Sequence, residues 1–427
     1  SISGIPTSMG NFPIQITASN PSGTSNLVTG VIQIGPMAFA AVGTYVASID
    51  AADELNQNMG GRLDLTITED SSFSANVRMG KETYKGAGKV ALSTFNNNGS
   101  VTYRGTFDIP RKNKNPLSLI FTATSGSGEI YGIVHDGTQQ VSIAGHRQFW
   151  HSSRNPNYFT GSANLGMSLD EADIGRERVP QGAGFIRATQ SKGGIASFTG
   201  KLADGTSITS SSIVGFYGEM ILFQSLYDGG GAVLSRIAPR FVFSETQASI
   251  NRISGLARWI KAAPPASSTR SYADGIPATF LNVLGNTYTA SGLNRIVMAL
   301  PNEPNNAQLD FSRAELNTTS DSPNLVFRIT TKNEANFTGL ENPAAVSISI
   351  DPKTGLFLGK FELKDPGQPR EVKFSGLIIP AVEASTEPSE AGQSVQGLGH
   401  FLLPGLTPSV TKSPIVSGLV KLSPSVD

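Results

Sequence analysis

The sequence predicts an all-β protein made of tandem antiparallel meander units that close into small β-barrels, with β-sandwiches as the alternative. Gly (46) and Pro (25) are frequent in the 427 residues, and both favour tight turns, because Gly supplies positive φ and Pro presets φ. Between these turns, stretches of about five to nine residues alternate apolar and polar side chains, as half-buried strands do. Helical periodicity is limited to a turn or two at Asn294–Ala299 and Gln308–Leu316, where strand alternation competes with it. Closure is the simplest way for a long meander to hide its edge strands.

Composition excludes several classes of function. Lys and Arg together number 33, as do Asp and Glu, so no net charge attracts nucleic acid or an anionic membrane. Cysteine is absent, which removes thiol catalysis, iron–sulfur clusters and cysteine zinc sites. The longest apolar run, near Pro36–Val42, is far shorter than the ~20 residues of a membrane-spanning helix. No signal peptide opens the sequence, which begins in mid-pattern at Ser1, so we expect a fragment of a longer protein.

Residues 1–37 are predicted to form a short group of strands of their own. Phe12, Ile14 and Ile16 alternate with other residues, as strand residues with one buried face do. Asn20-Pro21-Ser22-Gly23 is a turn signal between two such stretches. The region is therefore assigned to a segment separate from the units that follow.

The rest of the chain is predicted to form three β-meander units, at residues 38–155, 156–275 and 276–427. Each unit opens on an aromatic motif and continues through short alternating stretches. The openings are Gly43-Thr44-Tyr45, Tyr158-Phe159-Thr160-Gly161 and Gly285-Asn286-Thr287-Tyr288. Pro-rich joins lie at residues 153–156 and 262–269, which is typical of linkers.

A hairpin pattern recurs in the second and third units and organises this assignment. Gly194–Gly205 and Gly355–Asp365 both contain a turn glycine, an aromatic residue, Gly-Lys, an apolar residue and an acidic turn. Phe198 and Phe357 also lie at similar distances before Gly255 and Gly418. The similar spacing predicts that the two hairpins are equivalent parts of repeated units.

These motifs resemble those of bacterial surface proteins. Residues 1–34, with Ser3-Gly4-Ile5-Pro6-Thr7, resemble the last strands of bacterial immunoglobulin-like modules. The Gly-x-Tyr openings, Phe-x-Gly-Lys hairpins and Ser-Gly-Leu closing segments of residues 43–422 resemble a repeat region of very large secreted or surface proteins of planctomycete- and verrucomicrobia-type bacteria. Unit one departs from the pattern, because Phe73 is not followed by Gly-Lys. The resemblance implies an extracellular or cell-surface location and a role in adhesion or surface architecture, and it brings no catalytic residues.

The four histidines do not predict a metal site. His135 precedes Asp136-Gly137, a hairpin-turn signal. His146 and His151 are five residues apart and so lie on opposite faces of a strand. His400 is expected to face solvent.

No pattern predicts a catalytic residue or a cofactor. The sequence lacks a Gly-x-Ser-x-Gly elbow, and Asp228-Gly229-Gly230-Gly231 lacks the lysine and helix of a phosphate loop, so it is interpreted as a tight turn. Two groups of carboxylates are interpreted as solvated turns rather than as a glycosidase pair or a calcium site. They are Asp50, Asp53 and Glu54, and Glu171, Asp173 and Glu177.

Aromatic residues provide the only candidate ligand contacts. Trp150, Tyr217 and Tyr227 are predicted as candidate sugar-stacking platforms, and for Trp150 packing between units is an equal alternative. Trp259 is interpreted as a core residue. The sequence predicts a non-enzymatic structural or adhesive segment of a large extracellular or cell-surface bacterial protein. Its expected partners are surface glycans or other envelope proteins. The alternative is a carbohydrate-binding or carbohydrate-degrading module.

Overall fold

The computed structural model describes residues 10–34, 37, 39–243, 248–263, 270–314, 316, 322–365, 369–382, 394–406 and 409–425. It is 57% strand and 4% helix, and its sheets are antiparallel, so the prediction of an all-β fold is confirmed. The sheets include two nearly closed barrels and a half-barrel. One compact unit comprises Arg62–Arg78, Glu82–Gln148 and the described residues before Ala51; the other comprises Ala51–Gly61, Met79–Lys81 and the chain from Phe149 onward.

The first described strands form two small antiparallel pairs. Strands β1 (Gly10–Ile16) and β4 (Val28–Ile34) pair so that Phe12 lies opposite Ile32. Between them, β2 (Ser19–Asn20) and β3 (Gly23–Thr24) form the predicted hairpin turn. The Asn20 side chain accepts a hydrogen bond from the Ser22 N–H at 2.9 Å, which fixes the turn. That this segment belongs to an immunoglobulin-like module stays a prediction.

The first large sheet is a meander in which the first and last strands along the chain, β5 and β13, pair with each other. Its order is β8-β7-β6-β5-β13-β12-β11-β10-β9. The T-shaped pair of Phe73 and Phe121, with ring centroids 5.1 Å apart, lies in its interior. The short helix α1 (Asp53–Asn56) follows β5. The strands are β5 (Gly43–Ile49), β6 (Gly61–Ile67), β7 (Ser72–Met79), β8 (Glu82–Lys89), β9 (Ala91–Phe95), β10 (Val101–Ile109), β11 (Leu117–Thr124), β12 (Glu129–His135) and β13 (Gln140–Arg147).

The second large sheet has the order β17-β16-β15-β14-β21-β20-β19-β18. Side chains join its two edge strands where the backbone ladder is interrupted. The Ser210 hydroxyl donates to the Phe223 carbonyl at 2.9 Å, and the Gln224 amide oxygen accepts from the Thr209 N–H at 2.7 Å. The strands are β14 (Gly161–Leu169), β15 (Gly184–Gln190), β16 (Ile195–Lys201), β17 (Ser207–Ile213), β18 (Met220–Leu226), β19 (Gly231–Phe243), β20 (Ala248–Lys261) and β21 (Ile276–Thr287).

The third large sheet has the order β24-β23-β22-β29-β28-β27-β26-β25. Its edge strands are β24 and β25. An isolated antiparallel bridge links Glu334, the residue before β24, to Ser349 of β25. Its first and last strands again pair at the centre, with Leu309 opposite Leu422. The strands are β22 (Ala307–Ser312), β23 (Leu325–Ile329), β24 (Ala335–Asn336), β25 (Ser347–Ile350), β26 (Leu356–Leu363), β27 (Arg370–Ile379), β28 (Gln396–Pro404) and β29 (Ile415–Pro424).

The structure assigns three predicted segments differently. The stretch around Gly285, predicted to open the third unit, lies in β21, which pairs with β14 and β20 of the second sheet. The hairpins of Phe198 and Phe357 are not equivalent. Counted along the chain, Phe198 lies on β16, the third strand of its sheet, and Phe357 lies on β26, the fifth strand of its sheet. Gln308–Leu316 begins as strand β22, whereas Val297–Ala299 is a single 3₁₀ turn. Among the described residues, the other 3₁₀ turns are Phe39–Ala41, Glu171–Asp173 and Tyr227–Gly229.

Candidate functional site

Trp150 lies in the core of the second sheet and not on the surface. Only 4% of the residue is exposed, and its indole N–H donates to the Gly215 carbonyl at 2.8 Å. Gly194 makes this burial possible, because a Cβ there would lie 2.7 Å from the Cβ of Trp150. The buried indole therefore has no open face on which a sugar ring could stack.

Exposed aromatic rings surround Trp150 instead. We call Phe149, Tyr158, Phe216 and Tyr217 the aromatic surface cluster. Trp150 makes T-shaped contacts with Phe149 and Tyr158, each with centroids 5.2 Å apart. Phe216 contacts Phe149 at 4.6 Å and Tyr217 at 4.8 Å. Tyr158 is 84% exposed and Tyr217 is 63% exposed, so the cluster presents both apolar rings and hydroxyl groups to solvent.

Of this cluster, sequence analysis named only Tyr217 and missed a signal for the other three rings. Phe149-Trp150, Tyr158-Phe159 and Phe216-Tyr217 are adjacent aromatic pairs. Tyr158-Phe159 and Phe216-Tyr217 lie in turns, and turns lie at the surface, where two adjacent rings cannot both be buried easily. Each of these pairs contributes at least one ring to the cluster.

Tyr227 belongs to a polar network inside the second sheet. Its hydroxyl donates to the Asp204 carboxylate at 2.8 Å and accepts from the Trp259 indole N–H at 3.0 Å. The Lys261 ammonium lies 5.0 Å from the centre of the Tyr227 ring and donates to the Ser271 carbonyl at 2.6 Å. Trp259 is fully buried, which confirms its interpretation as a core residue.

Burial controls the protonation of this network. It raises the pKa of Tyr227 far above its usual value, and the Asp204 charge acts in the same direction. Burial also lowers the pKa of Lys261, while the Asp204 charge opposes that shift. The Tyr227 phenol is therefore neutral and fixed as a hydrogen-bonding bridge, which is a structural task rather than that of a ligand platform.

His400 is buried, so the prediction that it faces solvent is wrong. It is 2% exposed, its Nδ1 lies 3.1 Å from the Ala183 carbonyl, and its ring stacks on Phe185 with centroids 6.0 Å apart. Burial lowers its pKa to about 4, and the Lys201 charge contributes to the same shift. The prediction failed because β28 is covered on both faces.

The carboxylate and histidine groups do not assemble a metal site in the part of the chain that the structure describes. Glu171 and Asp173 lie in an exposed 3₁₀ turn, where the Asp170 side chain accepts from the Ala172 N–H at 3.1 Å. Asp173 also pairs with Arg176 at 2.8 Å. These contacts are those of a solvated, capped turn.

One cavity lies beside the segment that follows β21. It measures about 670 Å³, and its walls include Tyr288, Asn294, Arg295, Met298, Asn302 and Thr331. Met298 and Ala299 both have left-handed backbone, with φ of 61° and 54°, which is unfavourable for residues with a Cβ. The buried Asn333 holds this turn, since its side chain accepts from the Val297 N–H at 2.7 Å and donates to the Arg295 carbonyl at 3.2 Å.

A smaller cavity of about 450 Å³ lies between loops of the second and third sheets and is lined by several charged residues. Sequence reasoning found neither cavity, because each is formed by segments that are distant in the chain.

Comparisons with known proteins add little. The chain matches no protein-family model and no curated protein. The alignment with a crystal structure of CghA covers 90% of this chain and 88% of the CghA chain. The sequence identity is 10% and the TM-score is 0.17. A TM-score this low carries no argument about fold or function. The helices of the described residues include none that is long and apolar enough to span a membrane.

Proposed function

We propose that this chain is a non-enzymatic structural and adhesive segment of a large extracellular or cell-surface bacterial protein. The filled sheet interiors carry the proposal. In the third sheet, Phe311 packs against Phe361 at 4.7 Å and Phe374 at 5.1 Å, and in the second Trp259 and Phe198 are fully buried. Small barrels whose interiors are filled by their own side chains suit spacing and display better than enclosure of a ligand.

Hydrogen bonds between the second and third sheets support a mechanical role. The Asn164 side chain donates to the carbonyls of Thr354 and Ile378, at 2.8 Å each. The Ser417 hydroxyl donates to the Ala203 carbonyl and accepts from the Gly182 N–H at 3.2 Å. Buried polar contacts of this kind fix the relative position of two packed elements, as a spacer requires.

The aromatic surface cluster supports the adhesive part of the proposal. Exposed tyrosine and phenylalanine rings provide large contact area with little loss of side-chain entropy, and the tyrosine hydroxyls add hydrogen bonds. Surface glycans and other envelope proteins offer the apolar and hydroxyl-rich surfaces that such rings contact.

Retention of bacterial envelope material on the immobilised full chain tests the proposal. The wild type is expected to retain envelope polysaccharide or protein, and the double substitution Tyr158→Ala and Tyr217→Ala should weaken retention about tenfold. Phe95→Ala removes an exposed ring outside the cluster and should have no effect. Absence of retention would contradict adhesion, whereas catalytic release of sugars from the polysaccharide would contradict the non-enzymatic assignment.

A carbohydrate-binding module is the second candidate, and the 670 Å³ cavity favours it. Hydroxyl and amide side chains line it together with Tyr288, and its size lies within the usual range of ligand pockets. Asn294→Gly removes an amide from the wall at a left-handed position that glycine adopts readily. Loss of glycan-array binding in this variant, but not in the matched Asn113→Gly variant, would support the second candidate.

A further inference from the structure

The smaller cavity, of about 450 Å³, is formed by three loops of the second and third sheets. Arg178 comes from the connection between β14 and β15, and Arg270 and Tyr272 come from the connection between β20 and β21. Lys412 and Pro414 come from the connection between β28 and β29. The cavity therefore exists only when the two sheets are packed together.

Positive charge dominates this cavity. Its lining includes the cations Arg178, Arg270 and Lys412 but a single carboxylate, that of Asp274. Across the residues that the structure describes, none of these three cations forms an ion pair. The whole chain has a formal net charge of zero, so the surplus is a local property of the cavity.

Hydrogen bonds between the two sheets hold the cavity walls in place. The Arg270 guanidinium donates through Nε to the Ser413 carbonyl at 2.7 Å, and the Arg270 carbonyl accepts from the Ile415 N–H at 2.9 Å. The Tyr272 hydroxyl accepts from the Ser417 N–H at 2.9 Å. A site whose walls are already fixed loses little entropy when it binds a ligand.

The backbone of the walls is also strained. Arg178 and Tyr272 have φ values of 60° and 50°, in the left-handed region that residues with a Cβ rarely adopt. Such conformations persist only where the surrounding structure enforces them, and they are concentrated at ligand-binding sites. The strain at two of the lining residues is an observation independent of the charge.

We propose that this cavity binds an oxyanion, namely a sulfate, phosphate or carboxylate group, carried by a molecule of about the size of a sugar. Guanidinium groups match the geometry of oxyanions, and charge-assisted hydrogen bonds to them are among the strongest in proteins. Arg178 and Lys412 are exposed at the cavity and supply the contacts, while Arg270 fixes the wall. Pro414 and Val416 provide apolar surface for the body of the ligand. This inference does not depend on the proposed structural and adhesive function.

Calorimetric titration of the full chain tests the site. The probes are inorganic sulfate, inorganic phosphate, glucose 6-sulfate, glucose 6-phosphate and glucuronate, each compared with glucose. At least one anion should bind and glucose should not, and the affinity should fall as the salt concentration rises. Arg178→Gln and Lys412→Gln should each weaken binding about tenfold, because each removes one charge-assisted contact.

Two matched variants control for loss of surface charge. Arg154→Gln and Lys192→Gln change exposed cations outside the cavity and should leave binding unchanged. If Arg178→Gln does not fold, Arg178→Gly removes the same charge and relieves the left-handed strain. Failure of all five anions to bind, equal binding of glucose, or equal weakening by the control variants would overturn the proposal. The anion that binds most tightly identifies which oxyanion the site prefers.

Discussion

The second and third sheets fill their interiors in different ways. In the third sheet, the Phe311 ring meets the rings of Phe374 and Phe401 edge to face. Gly376 and Gly418 leave room for the rings of Phe357 and Phe401. A Cβ at either glycine would clash with the ring that lies over it. The third interior is therefore apolar, and its packing depends on matched pairs of large and minimal side chains.

In the second sheet, Trp259 and Tyr227 are joined to charged groups. Asp204 accepts hydrogen bonds from the Tyr227 hydroxyl and from the N–H and hydroxyl of Thr206. Lys261 lies against the Tyr227 ring. The stability of this interior therefore depends on satisfied polar groups as well as on shape. The difference teaches that one type of sheet can be filled by steric fit or by a hydrogen-bonded network, and the two respond to different perturbations.

The largest expected effect is the loss of a ring from the third sheet. Phe401→Ala should lower the free energy of unfolding by about 3–5 kcal/mol, because it removes a fully buried ring and leaves a cavity. Gly418→Ala should also destabilise the protein, by about 1–3 kcal/mol, since its methyl group meets the Phe401 ring. Chemical denaturation measures both changes.

The double variant distinguishes matched packing from two independent defects. In Gly418→Ala with Phe401→Ala, the new methyl group occupies space that the ring has left, so the total loss should be smaller than the sum of the single losses. Gly193→Ala, which introduces a methyl group with only the Ser191 hydroxyl 3.9 Å away, should be nearly neutral. Simple additivity in the double variant would contradict the matched packing.

The next effect is a loss of unfolding free energy at low pH, on the order of 2–3 kcal/mol, and it arises from a buried histidine on the outer face of the third sheet. The folded protein holds the pKa of His400 at about 4, below the ordinary value of 6.5. Between these two pH values the unfolded chain binds a proton that the folded chain does not. The stabilisation is therefore complete above pH 6.5 and is lost as the pH falls towards 4.

Denaturation of the wild type at pH 7 and pH 4.5 measures this effect. His400→Gln should show a smaller difference between the two pH values, whatever its stability at pH 7. His151, which is exposed, provides the matched control, so His151→Gln should retain the full difference. An unchanged pH dependence in His400→Gln would show that another group is responsible.

The fold class followed from local patterns, whereas the partners of each strand did not. Alternation and turn residues give the strands and hairpins correctly, because both depend on neighbours in sequence. The assignment of Ile276–Thr287 depends on β14, more than a hundred residues earlier in the chain. The Phe-x-Gly-Lys pattern does not mark one environment: Gly200 lies against the Phe185 carbonyl, whereas Gly359 lies against the Phe374 ring.

The candidate sites were less predictable for the same reason. A tryptophan such as Trp150 is a residue type that can serve as a sugar-stacking platform. Gly194 and Gly215, which are distant in sequence, nevertheless enclose it. His400 lies on a predicted strand and is expected to face solvent, but Ala183 and Phe185, more than 200 residues earlier in the chain, cover it. Cavities formed by several loops depend on how sheets pack, which no single segment of sequence records.

The smallest expected effect returns to the polar interior of the second sheet. Tyr227→Phe keeps the ring but removes the hydroxyl that joins the Trp259 N–H to the Asp204 carboxylate. The loss should be about 1–3 kcal/mol, because the buried Trp259 N–H then lacks its partner, while the Asp204 carboxylate keeps only its hydrogen bonds from Thr206. Tyr288→Phe removes a hydroxyl that donates once, at 2.9 Å, to the Pro352 carbonyl of a half-buried site, and should cost only about 0.5–1.5 kcal/mol. If denaturation shows Tyr227→Phe to be neutral, the network does not stabilise the second sheet, and its interior is held by shape just as the third one is.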